Sequence, residues 1–248
     1  MSSVIGENLV IYTAQNMPEN NTSLVGGDIN SGVRASFNDP SSAAQVVIYS
    51  SSIADTSQTL TLAGRIAGGM IVSEAMSLNG IDHVTTDNTY ERILNASVNA
   101  IGAGIITVSG KLVNKIEDIP IGENGINRPF YDARTSSTTS KTYYEKVFAQ
   151  NSNSVASLNN AHIIEVSSGL YANISFALED SKQSDQTISN RESVPTGVTG
   201  GFGAGPTSVI GTSLTAGDYQ GIWLKLSLNA GETAQNSFYE VQISGTTA

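Results

Sequence analysis

The chain has 248 residues, enough for one large β domain or two of ordinary size. Charged side chains make up only 14% of it, against roughly a quarter in an average domain, and its formal net charge is −10. The shortage of Lys and Arg argues against binding to nucleic acid or to an anionic membrane, and the lack of cysteine excludes disulfides and thiolate metal sites.

The N-terminus has neither the basic region nor the apolar region of a secretory signal. No apolar run approaches the ~20 residues of a membrane helix. We therefore expect a protein made in a cytoplasm and without a membrane anchor. Hydroxyl and amide side chains replace the missing charges, a composition typical of a β-rich protein that acts outside cells or inside a larger assembly.

Residues 1–30 are predicted to form an extended N-terminal arm. Its apolar segment is Leu9-Val10-Ile11-Tyr12, and loop-forming residues follow it, including Gly26-Gly27-Asp28. Such a segment fits two alternatives. It could lie on a neighbouring subunit as an interaction segment, or it could be an edge strand of the chain's own sheet.

Residues 31–119 are predicted to form a first β-sandwich module. Short apolar segments alternate there with glycine-containing turns at a spacing typical of sandwiches and barrels. The predicted strands cover 45–50, 58–64, 69–78, 90–94 and 104–109. Glu74 interrupts the apolar face of the third strand, so we expect it near a sheet edge or paired with Arg92.

Residues 120–248 are predicted to form a second β-sandwich module. Its strands are expected at 142–149, 161–166, 171–178, 222–228 and 238–243. Ile222, Leu224, Leu226 and Leu228 alternate with polar residues, which predicts one buried and one exposed face. The loop from Asp180 to Val209 is long, and loops of that length are usually functional or ordered by a partner.

No segment carries a strong catalytic or metal-binding pattern. The glycines of 200–205 lack the lysine and the following helix of a phosphate loop, so a flexible loop is predicted. His83 and His162 have no nucleophile beside them. The acidic pairs Asp82/Asp87 and Glu179/Asp180 lack the spacing of a calcium loop and are interpreted as solvated turns. We expect no cofactor, no metal site and no enzymatic activity.

Two aromatic residues near the start of the 222–228 strand attract attention. Tyr219 and Trp223 could together form a platform for a sugar ring. They could equally be buried at a sheet edge or at a subunit contact, and that interpretation is favoured. Both residues, together with Leu9 to Tyr12, are the candidate interaction residues.

The C-terminal part of the chain resembles structural proteins of tailed bacteriophages. The resemblance rests first on Gly221-Ile222-Trp223-Leu224-Lys225 followed by Asn229-Ala230-Gly231. Similar short motifs lie at Gln58–Gly64, Gly69–Glu74, Tyr90–Ile93 and Lys141–Phe148. Together these motifs extend the resemblance over most of residues 24–248.

This resemblance implies a non-enzymatic virion protein built of β-sandwich modules, Ig-like or jelly-roll-like. Its implied role is capsid cement, a decoration protein that binds the major capsid protein on the outer surface, as a homotrimer. Three alternatives remain: a tail or baseplate component, a carbohydrate-binding adhesin, and an enzyme. Copy number separates the first, binding to glycans the second, and an acidic pair in a groove the third.

Overall fold

The computed structural model describes residues 3–17, 21–35, 38–130, 133, 135–168, 173–232 and 239–247. Within them the all-β prediction is confirmed, because the regular structure is strands with two three-residue 3-10 helices. None of the described helices is long and apolar enough to cross a membrane. The strands are β1 Leu9–Asn16, β2 Val25–Arg34, β3 Ala44–Ser50, β4 Thr59–Ile66, β5 Ile71–Ser77, β6 Val84–Val98, β7 Ile106–Gly110, β8 Lys115–Ile119, β9 Gly125–Asn127, β10 Lys141–Asn151, β11 Leu158–Ser168, β12 Ile174–Lys182, β13 Thr187–Ile188, β14 Val198–Gly203, β15 Thr207–Ser208, β16 Ser213–Leu214, β17 Tyr219–Leu228 and β18 Tyr239–Thr247.

The chain divides into two compact units. One unit, here called the middle unit, is residues 31–128, and the other, the terminal unit, combines residues 1–30 with 129–248. The division differs from the predicted one in two ways: the boundary falls after residue 128, and residues 1–30 belong to the terminal unit. The physical reason for the second difference is strand pairing, since residues Leu9 to Thr13 of β1 pair with β10.

The middle unit is organised around the long strand β6. Its first half pairs with β3, and its second half pairs with β4 and with β9. Further strands extend from these: β7 and β8 beyond β3, and β5 beyond β4. Buried aliphatic residues from all of these strands form one core, with Tyr90 fully buried among them.

Of the two alternatives predicted for Glu74, the structure has the sheet edge, since its strand β5 pairs with β4 alone among the described strands. Glu74 does not pair with Arg92; its carboxylate accepts hydrogen bonds from the backbone N–H groups of Asp87 and Asn88, at 3.0 and 2.7 Å. Arg92 instead lies 3.7 Å from the carboxylate of Asp39. Asp87 and Asn88 lie within β6 where its pairing with β3 shifts register, and their N–H groups are the donors that hold the Glu74 carboxylate.

The terminal unit contains a large sheet in the order β14-β12-β17-β10-β1-β2, with β13 paired to β2. A smaller sheet has β11 paired with β15, β16 and β18. Phe176 of the large sheet and Ile163 of the small one both approach Gly205, whose absent side chain leaves room for them. Residues 180–209 were predicted to form a long loop. In the structure they contain strands β13, β14 and β15, which pair with strands of the chain's own sheets.

Strands β10 and β17 are buried on both faces, which differs from the predicted alternation. Residues 143–149 of β10 are all buried, and so are residues 220–224 of β17. Leu226 and Leu228, expected to be buried, are only half-buried, whereas Trp223 on the opposite face is fully buried. Strand β17 is buried because it lies between β10 and β12 in the middle of the sheet and because other segments of the chain cover both of its faces.

The N-terminal segment is part of this sheet, between β10 and β2. Leu9 lies opposite Asn151 and Tyr12 opposite Phe148. Leu9 to Tyr12 were predicted to lie either on a neighbouring subunit or at the edge of the chain's own sheet. In this structure the segment belongs to the chain's own sheet, but as an inner strand and not as an edge strand.

We expect Tyr12→Ala to lower the free energy of unfolding by about 3–4 kcal/mol, because it opens a cavity beside Phe148 in a buried strand. Ile5→Ala, at an exposed position just before β1, is the control and should cost roughly 0.5 kcal/mol or less. Denaturant unfolding of both variants measures the difference. Equal, small losses would mean that β1 is not an integral strand of the isolated protein.

Candidate functional site

The aromatic candidates Tyr219 and Trp223 are both engaged within the chain. The indole of Trp223 is fully buried, and its Nε1 donates to Glu179 Oε1 at 3.1 Å and to Gln186 Oε1 at 3.2 Å. The hydroxyl of Tyr219 donates to Asp28 at 2.8 Å, and its ring meets Phe148 edge-on. A fully buried indole offers no face to a sugar ring, so these residues form no open platform.

The segment Leu9 to Tyr12 is also covered to a large extent. Val10 and Tyr12 are buried, and Leu9 and Ile11 are half-buried. The predicted interaction residues thus lie on β1 and β17 of the same sheet, and in this structure they serve its packing.

Side chains of two consecutive residues of β10 carry buried charges to opposite faces of the sheet. On one face, Lys146 Nζ lies 2.8 Å from Glu179 Oε1, and both side chains are almost fully shielded from solvent. The same ammonium donates to the backbone carbonyls of Gly27 and Ser184 at 3.0 and 2.9 Å. Burial lowers the pKa of Lys146 and raises that of Glu179, because it disfavours the charged form of each.

On the other face, Glu145 is held from two directions. Its Oε1 accepts from Arg191 Nη2 at 2.5 Å, and its Oε2 accepts from the backbone N–H of Phe130 at 2.8 Å. Arg191 also lies over the ring of Tyr143, 4.9 Å from the centroid. Burial raises the pKa of Glu145 to about 7, and the lowering effects of Arg191 and of the Phe130 N–H only partly offset it.

Both oxygens of Glu145 accept from fixed donors, whereas Glu179 is held through Oε1 alone and its Oε2 is buried without a hydrogen-bond partner. Glycine at 221 is required beside the first pair: a Cβ there would lie 1.9 Å from Glu179 Oε2. The acidic pair Glu179/Asp180 considered for calcium is therefore divided, since Glu179 belongs to the ion pair with Lys146. Among the described residues no group of three His, Asp or Glu side chains is placed to hold a metal ion.

We expect Lys146→Met to cost about 3–5 kcal/mol of stability, because it leaves the carboxylate of Glu179 buried without a counter-ion. The double variant Lys146→Met/Glu179→Gln should recover most of that loss, because no buried charge remains and an amide can still accept from Trp223. Denaturant unfolding of the single and double variants measures both effects. A double variant as unstable as Lys146→Met alone would contradict the electrostatic explanation.

The raised pKa of Glu145 predicts that the free energy of unfolding depends on pH. Its pKa is higher in the folded chain than its ordinary value of 4.5, so between about pH 4.5 and 7 the folded state binds more protons than the unfolded state. Stability from this group is present below pH 4.5 and lost as the pH rises to 7. Glu145→Gln lacks this effect, so its stability relative to the wild type should rise by about 3 kcal/mol across that window.

Urea unfolding at pH values on both sides of the window measures this difference. Glu192→Gln is the control, since it removes one carboxylate that is paired with Lys141 at a partly exposed position. A stability difference between Glu145→Gln and the wild type that stays constant with pH would show that the carboxylate of Glu145 is charged throughout.

A third buried carboxylate organises one end of the middle unit. Asp55 is fully buried and accepts from Ser50 Oγ at 2.5 Å, Ala103 N at 2.7 Å, Gly104 N at 3.0 Å and Gln58 Nε2 at 3.2 Å. Burial acts to raise its pKa, but these hydrogen bonds outweigh burial and hold the pKa below its usual value.

Three loop segments meet at Asp55: residues 50–56, 79–82 and 99–105. The backbone carbonyl of Asp55 accepts from Gly80 N at 2.8 Å, which joins the second segment to the first. Ser51 N donates to Ile105 O at 2.9 Å, and Ile105 N donates to Ser51 Oγ at 2.9 Å, which joins the third segment to the first. We call these segments the Asp55 loops.

The Asp55 loops expose four large aliphatic side chains. Ile53 is 75% exposed, Ile101 56%, Ile81 54% and Ile105 40%. We call these four residues the isoleucine surface. The hydrogen bonds of the Asp55 loops hold the segments that carry these four side chains next to one another, and apolar residues grouped on a surface are typical of sites that bind other macromolecules. This surface is the candidate functional site.

The sequence pattern did not identify this site. Ile53 and Ile81 fall in predicted turns, and Ile101 and Ile105 flank a glycine-rich one. The available signal was the presence of isoleucine, a residue that favours strands, in segments otherwise made of Ser, Ala, Asn and Gly. The contacts of Asp55 that join the third segment to the first come from the backbone N–H groups of Ala103 and Gly104, which are distant in sequence and carry no residue-specific signal.

Both histidines have ordinary surroundings. His83 stacks on Tyr49 with ring centroids 4.4 Å apart, and Nδ1 of His162 lies 3.2 Å from the carbonyl of Asn160.

Comparison with known proteins identifies no relative: no family model, curated protein or solved structure matches the chain. The resemblance carried by residues such as Gly221–Lys225 therefore stays a prediction.

Proposed function

We propose that the chain is a non-enzymatic capsid cement protein of a tailed bacteriophage. In this role it binds the major capsid protein on the outer surface of the virion and stabilises contacts between capsomers, as a homotrimer. The observation that carries the proposal is the isoleucine surface. Exposed aliphatic side chains can bind another protein, but they carry no acid, base or nucleophile that could catalyse a reaction. A capsid protein is proposed as the partner because the sequence motifs resemble those of tailed-bacteriophage structural proteins.

Two further features support a structural role. First, the carboxylates of Asp55, Glu145 and Glu179 are all buried, and each is held by at least one donor within the chain. Acid–base catalysis needs a carboxyl group that can reach a substrate, and these three cannot. Second, the low fraction of charged residues, 14%, leaves a surface on which hydroxyl, amide and aliphatic groups dominate recognition. Many weak contacts of this kind add up when many copies bind one particle.

The location of the chain on the virion can be tested by counting its copies per particle. We expect quantitative gel analysis of purified particles to give about one copy per major capsid subunit, or one trimer per local three-fold site. A few copies to a few dozen would instead assign the chain to the tail, the baseplate or a vertex. Complete absence from the particle would refute the proposal and return the adhesin and the enzyme to consideration.

A cement function also predicts a gain in particle stability. Particles lacking the chain should release their DNA at a lower temperature, and purified protein added back should restore the original temperature. Glu192→Gln protein, altered at a partly exposed ion pair of the terminal unit, is the control and should restore it equally well. Saturable binding without any change in release temperature would contradict the stabilising role.

A further inference from the structure

We propose that Lys146 and Glu179 form a covalent amide bond with each other after the chain has folded. The bond joins Nζ of Lys146, on β10, to the side-chain carbonyl carbon Cδ of Glu179, on β12, across the strand β17 that lies between them. This inference goes beyond the proposed function, because it concerns a modification of the chain itself and holds whether or not the chain binds a capsid.

The two side chains are already held in contact. Lys146 Nζ lies 2.8 Å from Glu179 Oε1, and the side chains are 0% and 1% exposed. The carboxyl group of Glu179 lies beside Gly221 of β17, whose missing side chain leaves room for it. Two groups fixed next to each other inside one fold need no encounter between molecules, and such fixed geometry removes a large part of an activation barrier.

Burial favours the uncharged forms of both groups, which are the reactive ones. It lowers the pKa of Lys146 and raises that of Glu179, so transfer of one proton from Nζ to the carboxylate gives a neutral amine beside a carboxylic acid. The carbonyl oxygens of Gly27 and Ser184 lie 3.0 and 2.9 Å from Nζ, and that of Gln186 is farther away at 3.3 Å. The two nearer carbonyls can accept both hydrogens of the neutral amine, which leaves its lone pair for Glu179.

The two oxygens of the Glu179 carboxyl group have different surroundings, and these suit the two parts of the reaction. Oε1 accepts from Trp223 Nε1 at 3.1 Å, so a fixed donor is present for the negative charge that develops on this oxygen as Nζ attacks Cδ. Oε2 is buried without a hydrogen-bond partner. Within the described part of the chain, no hydrogen bond to Oε2 has to break when this oxygen leaves.

The reaction is a condensation that balances without a further reactant. The bond from Nζ to Cδ forms, and the bond from Cδ to Oε2 breaks. Of the three hydrogens of the ammonium group, one stays on the amide nitrogen and two leave with Oε2 as water. One positive and one negative charge disappear together, which removes the cost of keeping a buried ion pair. Because both side chains must first be in place, freshly folded protein still contains the ion pair, and the bond accumulates with time.

Mass spectrometry of the denatured full chain tests the inference. Folded wild type aged for weeks at neutral pH should have a mass lower than that of its sequence by one water molecule. Trypsin does not cleave after an acylated lysine, so the digest should contain residues 142–182 as a single peptide that lacks one water. Without the bond, cleavage after Lys146 gives residues 142–146 and 147–182 as separate peptides.

The chain contains its own control. Lys141 Nζ and Glu192 Oε2 are 2.7 Å apart, but their side chains are 36% and 34% exposed. Water keeps both groups charged there, so trypsin should cleave after Lys141 as in an ordinary chain, and the peptide with Glu192 should have its full mass.

Lys146→Arg is the matched variant, because a guanidinium keeps the positive charge but is not deprotonated in proteins and therefore has no nucleophilic form. It should keep its full mass after ageing, whereas Lys141→Arg should lose water as the wild type does. A wild type that still has its full mass would overturn the inference, and so would a loss of water that persists in Lys146→Arg. Either result would leave the cement proposal intact, since that depends on copy number and on particle stability.

Discussion

The terminal unit depends on charges buried from both faces of one strand. Glu145 and Lys146 are neighbours in β10, so the pleat sends one carboxylate and one ammonium to opposite sides of the sheet. Each must find a partner in a different part of the chain, Arg191 on one side and Glu179 on the other. Because an unpaired buried charge costs several kcal/mol, both coverings must be in place for β10 to be stable.

This constraint explains why the segment after β12 is ordered. Ile188 packs in a cluster with Val25, Tyr144 and Trp223, and Arg191 reaches Glu145 a few residues later. A length of chain rich in Ser, Thr and Gly therefore covers the sheet through a few anchoring residues spaced along it. The spacing also shows why its polar composition is compatible with order, since only the anchors need to be buried.

The sequence predicted the fold class and most long strands, because aliphatic residues alternate clearly in segments such as 45–50 and 58–64. It missed β2, where Gly26 and Gly27 have positive φ and resemble a turn while lying within a strand. It also assigned β17 one exposed face, since Lys225 and Ser227 follow the alternation and the burial of Trp223 depends on distant residues. The site was missed because two of the four donors to Asp55 are backbone N–H groups of residues distant in sequence, Ala103 and Gly104, which no sequence pattern marks.

The Asp55 loops separate two tasks that single residues often combine. The anchoring groups are one buried carboxylate, small polar side chains and main-chain groups, including those of Ile105, while the side chains of the four isoleucines are exposed. Substitution of the outward residues can therefore change what the surface binds without altering the loops that display it. Related chains that keep the anchor could recognise different neighbours, and the same arrangement offers a scaffold on which new binding surfaces can be selected.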